Sequence, residues 1–138
     1  MTPGAGMGAL FPDAATTETV TVRVSVSYLA EQSEPGRGRW FWAYHIRIEN
    51  GGDTPVQLLT RHWIITDGRG ARHTVEGEGV VGEQPVIQPG ASYDYVSGCP
   101  LATPNGSMQG SYRMVAADGR TFEVAIPRFT LMAPAEAE

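Results

Sequence analysis

The segment Glu18–Leu29, ETVTVRVSVSYL, alternates residue by residue. Val20, Val22, Val24, Val26 and Tyr28 fall on one side, and Thr19, Thr21, Arg23, Ser25 and Ser27 fall on the other. On a helix this order would scatter the apolar groups around the cylinder. On a strand it gathers them on one face. Arg39–Asn50 repeats the pattern: Trp40, Trp42, Tyr44, Ile46 and Ile48 oppose Phe41, Ala43, His45, Arg47 and Glu49. Strands that are apolar on one side need a second layer to cover that side.

The rest of the chain supplies it. Val56–Asp67 is rich in β-branched and aromatic residues and reads as a strand. Asp67–Gly70 closes a hairpin into Ala71–Gly77, and Ala91–Gly98 reads as a short strand. Cys99–Gly110 reads as a long loop or a single helical turn. Ser111–Met132 is a hairpin about Asp118-Gly119, with Pro127 marking an edge or a bend. The chain of 138 residues carries 17 Gly and 10 Pro, and no segment sustains a helical period. The expected fold is all-β, an antiparallel β-sandwich of about seven to nine strands, with a small barrel as the other closure. Residues 18–134 form one domain, preceded by a flexible N-terminal tail at 1–17.

Composition narrows the function. The net charge is −5, and all ten basic residues are Arg. An acidic chain without a basic run is poorly suited to nucleic acid or to an anionic membrane surface. No stretch is long enough to span a bilayer and no secretory leader is evident, so a cytoplasmic protein is expected. Cys99 is the one cysteine, which excludes an intrachain disulfide.

Gly77–Gly82, GEGVVG, has the G-x-G-x-x-G spacing of a dinucleotide-binding turn. That turn works by launching a helix whose N-terminus faces the pyrophosphate. Pro85 and Pro89 forbid a helix here, and Glu78 and Glu83 place carboxylates where an anion would sit. The plainer reading is a strand crossing or bulge. A phosphate-binding nest of backbone amides is the other, with Arg61 or Arg72 supplying charge. His45, His62 and His73 lack a second ligand at metal-site spacing and read as ordinary strand-face histidines, although one register of the Asp67–Gly70 hairpin would bring His62 and His73 together. Arg61 and Trp63 share a strand face. They form either a cation–π pair on the surface or a core tryptophan capped by arginine. Ser97 and Cys99 lie in no nucleophile elbow.

Several stretches then belong together: YLAEQSEP, VQLLTRHWIITDGRG, EGEGVVGEQPVIQPG, YVSGCPLATPNGSMQGSY and FEVAIPRFTL. In that order they resemble the ApaG family, over about Val20 to Pro134. The resemblance implies an immunoglobulin-like, fibronectin type III-like sandwich. It also implies a genetic link to cobalt resistance and magnesium efflux, a diadenosine tetraphosphate hydrolase as frequent gene neighbour, and no catalytic residues. A pyrophosphate role has been proposed for the glycine motif in that family. The expectation is a non-catalytic protein-interaction module with an unidentified protein partner and no cofactor or metal. Its candidate surface comprises Glu31, Gln32, Arg61, Trp63, Glu83 and Gln84. The alternative is a small-ligand binder holding a nucleotide or pyrophosphate at Gly77, Gly79 and Gly82, with Arg61 or Arg72. An enzyme acting on dinucleoside polyphosphates is the third and weakest reading.

Overall fold

The structure is a computed structural model and describes residues 11–135. Nine strands follow one another: β1 (Asp13–Thr17), β2 (Val20–Tyr28), β3 (Trp40–Asn50), β4 (Val56–Asp67), β5 (Arg72–Glu78), β6 (Val86–Ile87), β7 (Ser92–Leu101), β8 (Asn105–Ala116) and β9 (Thr121–Met132). Short 3-10 turns at Ala30–Gln32 and Pro35–Arg37 interrupt the loop between β2 and β3. One sheet has the order β1-β2-β3-β7, and the other β5-β4-β8-β9 with β6 added beside the start of β4. Every pairing between these strands is antiparallel.

The alternation places the core as expected. Val20, Val22, Val24, Trp42, Ile46 and Ile48 are buried from the first sheet. Leu58, Met108, Tyr112, Val124, Phe129 and Leu131 are buried from the second. Trp63, Tyr44 and Phe129 meet across the layers, with Trp63 edge-on to Tyr44 at 5.4 Å and to Phe129 at 6.0 Å. Such aromatic pairs add to the free energy of burial itself.

Two expectations are corrected. Residues 13–17, assigned to a flexible tail, form β1 in register with Val20–Val24. Their side chains are small and give no apolar signal. The strand is held instead by its ladder, by Thr16 and Thr21 hydroxyls at 2.9 Å, and by Phe11 packed edge-on to His45 at 4.9 Å. The remainder of that tail, residues 1–10, lies outside the described residues. Cys99–Gly110 is also not a loop: its two ends extend β7 and β8, and only residues 102–104 turn. The glycines that suggested a loop are there for close approach. A Cβ on Gly110 would lie 2.0 Å from the His62 carbonyl oxygen, and one on Gly106 2.6 Å from that of Thr66. Thr103 Oγ closes the turn, donating to the Asn105 carbonyl at 2.7 Å and accepting from Gly68 N–H at 2.8 Å.

Pro127 lies within β9, an edge strand, where the register with β8 shifts between Met108 and Gly110. A bulge on an edge strand is where a residue without an N–H is tolerated. The two sheets are laced along the β1/β9 flank. There Ala125 N–H donates to Thr17 Oγ at 3.0 Å and Arg120 pairs with Glu18 at 2.8 Å. Inside, the Tyr95 and Tyr112 hydroxyls share a buried hydrogen bond that joins β7 to β8 across the sandwich.

Removing one hydroxyl of that pair strands the other in a dry site. Tyr112→Phe is expected to lose about 1–3 kcal/mol in urea unfolding, and Tyr95→Phe/Tyr112→Phe to recover most of it. Additive losses in the double variant would show that the two hydroxyls do not depend on each other.

Candidate functional site

The flank opposite the β1/β9 seam stays open. There β7 ends one sheet and β5 ends the other, and the gap between them is a cleft of about 810 Å³. Tyr44, Trp63 and Met108 lie along it, with Val75 from β5 and Val96 from β7 at its sides. Trp63 is only 3% exposed, while Val75, Val96 and Val81 are 40%, 59% and 65% exposed. Apolar groups exposed together around a concave surface are unusual away from contact sites.

The glycine motif forms the lip of this cleft. Gly79 donates its N–H to the Leu59 carbonyl at 2.9 Å. Val80 and Glu83 exchange both backbone hydrogen bonds, at 2.8 and 3.0 Å. The residues between them, Val81 and Gly82, have φ of 48° and 80°. Two positive φ angles between paired residues define a type I′ turn. Each glycine answers a separate demand. A Cβ on Gly77 would meet the Arg61 guanidinium at 2.8 Å, and one on Gly79 the Glu83 carbonyl oxygen at 2.2 Å. Gly82 has open space and needs only its left-handed backbone. The motif serves a hairpin, and the next element is the two-residue strand β6.

Arg61 lies opposite Gly77 in the β4–β5 ladder. Its Nη1 donates to the carbonyls of Glu78 and Gly79 at 3.0 and 2.9 Å. The guanidinium therefore clamps the end of β5 and the start of the turn. Gln84 completes the attachment by donating from Nε2 to the Leu59 carbonyl at 2.9 Å.

The cleft also holds weak acids in their neutral forms. Burial raises the pKa of Tyr44, with a Ser97 hydrogen bond and the Arg61 charge acting the other way. Burial likewise raises Tyr95 and pushes the Cys99 thiol up to about 11. A thiol so protonated is a poor nucleophile.

A shallower hollow of about 650 Å³ lies over Thr60, His62, Glu76, Ser111, Arg113 and Glu123. His62 Nδ1 contacts Glu76 at 2.8 Å and Arg113 pairs with Glu123 at 3.5 Å. On the other sheet, Asp94 contacts His45 at 2.7 Å and Arg47 at 3.0 Å. Although burial raises the Asp94 pKa, hydrogen bonds from Arg47 and His45 outweigh it and hold the carboxyl below its usual range.

Of the residues singled out from sequence, Arg61, Trp63, Gly77, Gly79, Gly82, Glu83 and Gln84 gather at the cleft and its lip, whereas Arg72, Glu31 and Gln32 lie apart. Arg61 and Trp63 come together at the cleft, Trp63 as core and Arg61 on the loop carbonyls. Arg72 begins β5, at the far end of that strand from the turn. Glu31 and Gln32 lie in the 3-10 turn after β2 and line neither hollow. Glu83 lies in the hairpin and Gln84 staples it. His62 and His73 do not meet, because His62 pairs with Glu76 and His73 with Ile65. Among the described residues no three His, Cys, Asp or Glu side chains are grouped to hold a metal ion, and no helix is long and apolar enough to cross a membrane. Sequence reading did not single out Val75, Val81, Val96 or the tyrosine pair as a site. Their grouping follows from pairing distant in sequence, and only Val81 carries a local signal, as an apolar residue inside a turn.

The ApaG-domain family profile matches residues 30–116. The chain belongs to the ApaG family. It is 55% identical to Protein ApaG of Rhodospirillum centenum over 118 residues, covering 86% of this chain and 91% of that one. With Protein ApaG of Pseudomonas aeruginosa it shares 56% over 119 residues, covering 86% and 94%. The crystal structure of the ApaA protein from Bordetella pertussis superposes with a TM-score of 0.82 at 47% identity, covering 84% and 94%. A structural-genomics target, SoR45, gives 0.81 at 42%, covering 88% and 92%. The Gly77–Gly82 motif of this chain sits on a β-hairpin.

Gly79→Ala combines a left-handed strain with a backbone clash and is expected to cost about 3 kcal/mol or more. Gly82→Ala, with strain alone, is expected to cost about 1 kcal/mol, and Val81→Asn to gain about 1 kcal/mol. Chemical unfolding of the three variants checks this order.

The Cys99 thiol sets an alkaline limit. Its folded pKa is above the unfolded one, so its contribution is complete below about pH 9 and is lost as pH rises toward about 11. Cys99→Ala is expected to flatten the fall in the urea midpoint across that window. An unchanged fall would assign the alkaline limit to the tyrosines whose pKa burial raises, Tyr44, Tyr95 and Tyr112.

Proposed function

We propose that this chain is a non-catalytic protein-interaction module of the ApaG type, linked to divalent-cation homeostasis through the protein it holds. The cleft between β5 and β7 carries this reading. It combines exposed valines, a firm aromatic floor and two strands whose outer edges are unpaired among the described residues. An extended segment of a partner would add backbone hydrogen bonds to one edge and place alternate apolar side chains in the cleft. Arg61 acts inside the module, holding the Gly77–Gly82 turn at the lip. The association with cobalt resistance and magnesium efflux comes from the family resemblance, and in this reading the cation is handled by the partner.

The test is selection from a library of peptides displayed on phage, followed by titration into isotopically labelled protein. Selected peptides are expected to alternate apolar residues and to shift amides of β7, β5 and the Val80–Glu83 turn. Val96→Glu, at the cleft, should weaken binding at least tenfold. Met132→Glu, equally exposed but not lining the cleft, should leave it unchanged. The same pair, expressed in a strain lacking its own copy and challenged with cobalt, tests the cation link: only Met132→Glu should complement. Shifts confined to Gly77–Gln84 on adding pyrophosphate, ATP or diadenosine tetraphosphate, with none from any peptide, would replace this reading with a small-ligand one.

A further inference from the structure

Among the described residues the two sheets have four lateral edges: β1 and β7 on one, and on the other β9 and β5, the last continued by the two-residue β6 along β4. Exposed edges invite pairing with another chain, and proteins blunt them with short strands, prolines, bulges or covering segments. Three of these edges are blunted. β1 is five residues long. β9 carries Pro127 and the register shift, and Thr17 takes up its Ala125 N–H. β7 contains Pro100. β5 has no proline and no bulge, six of its seven residues are exposed, and its recorded ladder is with β4 alone.

The sequence of β5, Arg-His-Thr-Val-Glu-Gly-Glu, is complementary to itself when reversed. We propose that β5 pairs antiparallel with β5 of a second copy of this chain about a two-fold axis at Val75. In that register Arg72 of each copy stands opposite Glu78 of the other, and Thr74 opposite Glu76. His73 stands opposite Gly77, and the two Val75 side chains meet at the centre. All seven residues are paired and no like charges face each other. Moving the register so that the axis passes through Glu76 would set Glu76 against Glu76. Opposite charges across a ladder stabilise it and like charges destabilise it.

The consequence is one continuous sheet through both copies. Residues opposed across a ladder point to the same side of the sheet. Val75 faces the cleft with Trp63, its ladder partner, so the two clefts would open on the same side of the joined sheet. A single seven-residue ladder is a small interface, so the association is concentration-dependent. It competes with the repulsion between two copies carrying −5 each.

The experiment is sedimentation velocity on the full chain over about a hundredfold range of concentration, up to about 1 mM. Wild type is expected to shift from monomer to dimer. Arg72→Glu and Glu78→Arg should each weaken association by about tenfold or more. Arg72→Glu/Glu78→Arg should restore it, because each exchanged pair is again opposite in sign. Thermal unfolding and circular dichroism of every variant separate lost association from lost folding. Amide hydrogen exchange of Arg72–Glu78, slowed at high concentration, gives a second readout on unaltered protein. A wild type that stays monomeric throughout overturns the proposal. So does equal association of wild type and Arg72→Glu, or failure of the double variant to recover while it remains folded.

Discussion

The open flank depends on how Asn50 holds the crossing chain. This side chain is buried, and its Nδ2 donates to the carbonyls of Thr54 and Ile87 at 2.8 and 2.9 Å while Oδ1 accepts from Gly52 N–H at 3.0 Å. Its backbone adds two bonds, N–H to the Ala91 carbonyl at 3.0 Å and carbonyl from Gly90 N–H at 2.7 Å. One residue at the end of β3 thus fixes the turn into β4, the seat of β6 and the entry to β7. The chain between the Gly77–Gly82 hairpin and β7 has to cross from one sheet to the other, and a crossing segment carries backbone groups that need partners. Asn50 provides them in a place water does not reach. Where β7 begins, and therefore how far it stands from β5, follows from that anchorage.

The two flanks of the sandwich then differ in kind. On one, a threonine hydroxyl and an arginine–glutamate pair stitch β1 to β9. On the other, Arg61 spends its hydrogen bonds on the Glu78 and Gly79 carbonyls of its own sheet and turn, while Gly79 N–H ties the same turn to Leu59. The guanidinium holds the lip without bridging the gap. Trp63 and Tyr44 form the floor, with Phe129 packed against both, while the valines at the margin stay exposed. Each glycine of the Gly77–Gly82 turn is explained by a steric or conformational demand of the hairpin.

The sequence made some elements legible and hid others for definable reasons. β2 and β3 are marked by two-residue alternation of large apolar side chains and β4 by its β-branched and aromatic content, and the ends of all three fall within about two residues of the expected positions. β1 is built from Asp, Ala and Thr, with no apolar face to announce it, and exists because β2 presents a free ladder. The β7–β8 connection reads as a loop because Pro100, Pro104, Gly106 and Gly110 are turn residues by local preference. In the fold, Gly106 and Gly110 admit neighbouring backbone and Pro100 lies on an edge strand. That Gly77 lies under Arg61 follows only from the β4–β5 register, which sequence leaves open. The cleft is hidden for the same reason: it is made by which strands lack a neighbour, a property of the whole topology.

The stitched flank has an architectural corollary. β1 and β9, the first and last strands described, lie side by side there, so the chain enters and leaves the sandwich along one border. A fold arranged in this way is suited to insertion into a surface loop of a larger polypeptide, or to circular permutation with a short bridging segment. In either case the added chain would attach on the border remote from β5 and β7, leaving the opposite border unobstructed.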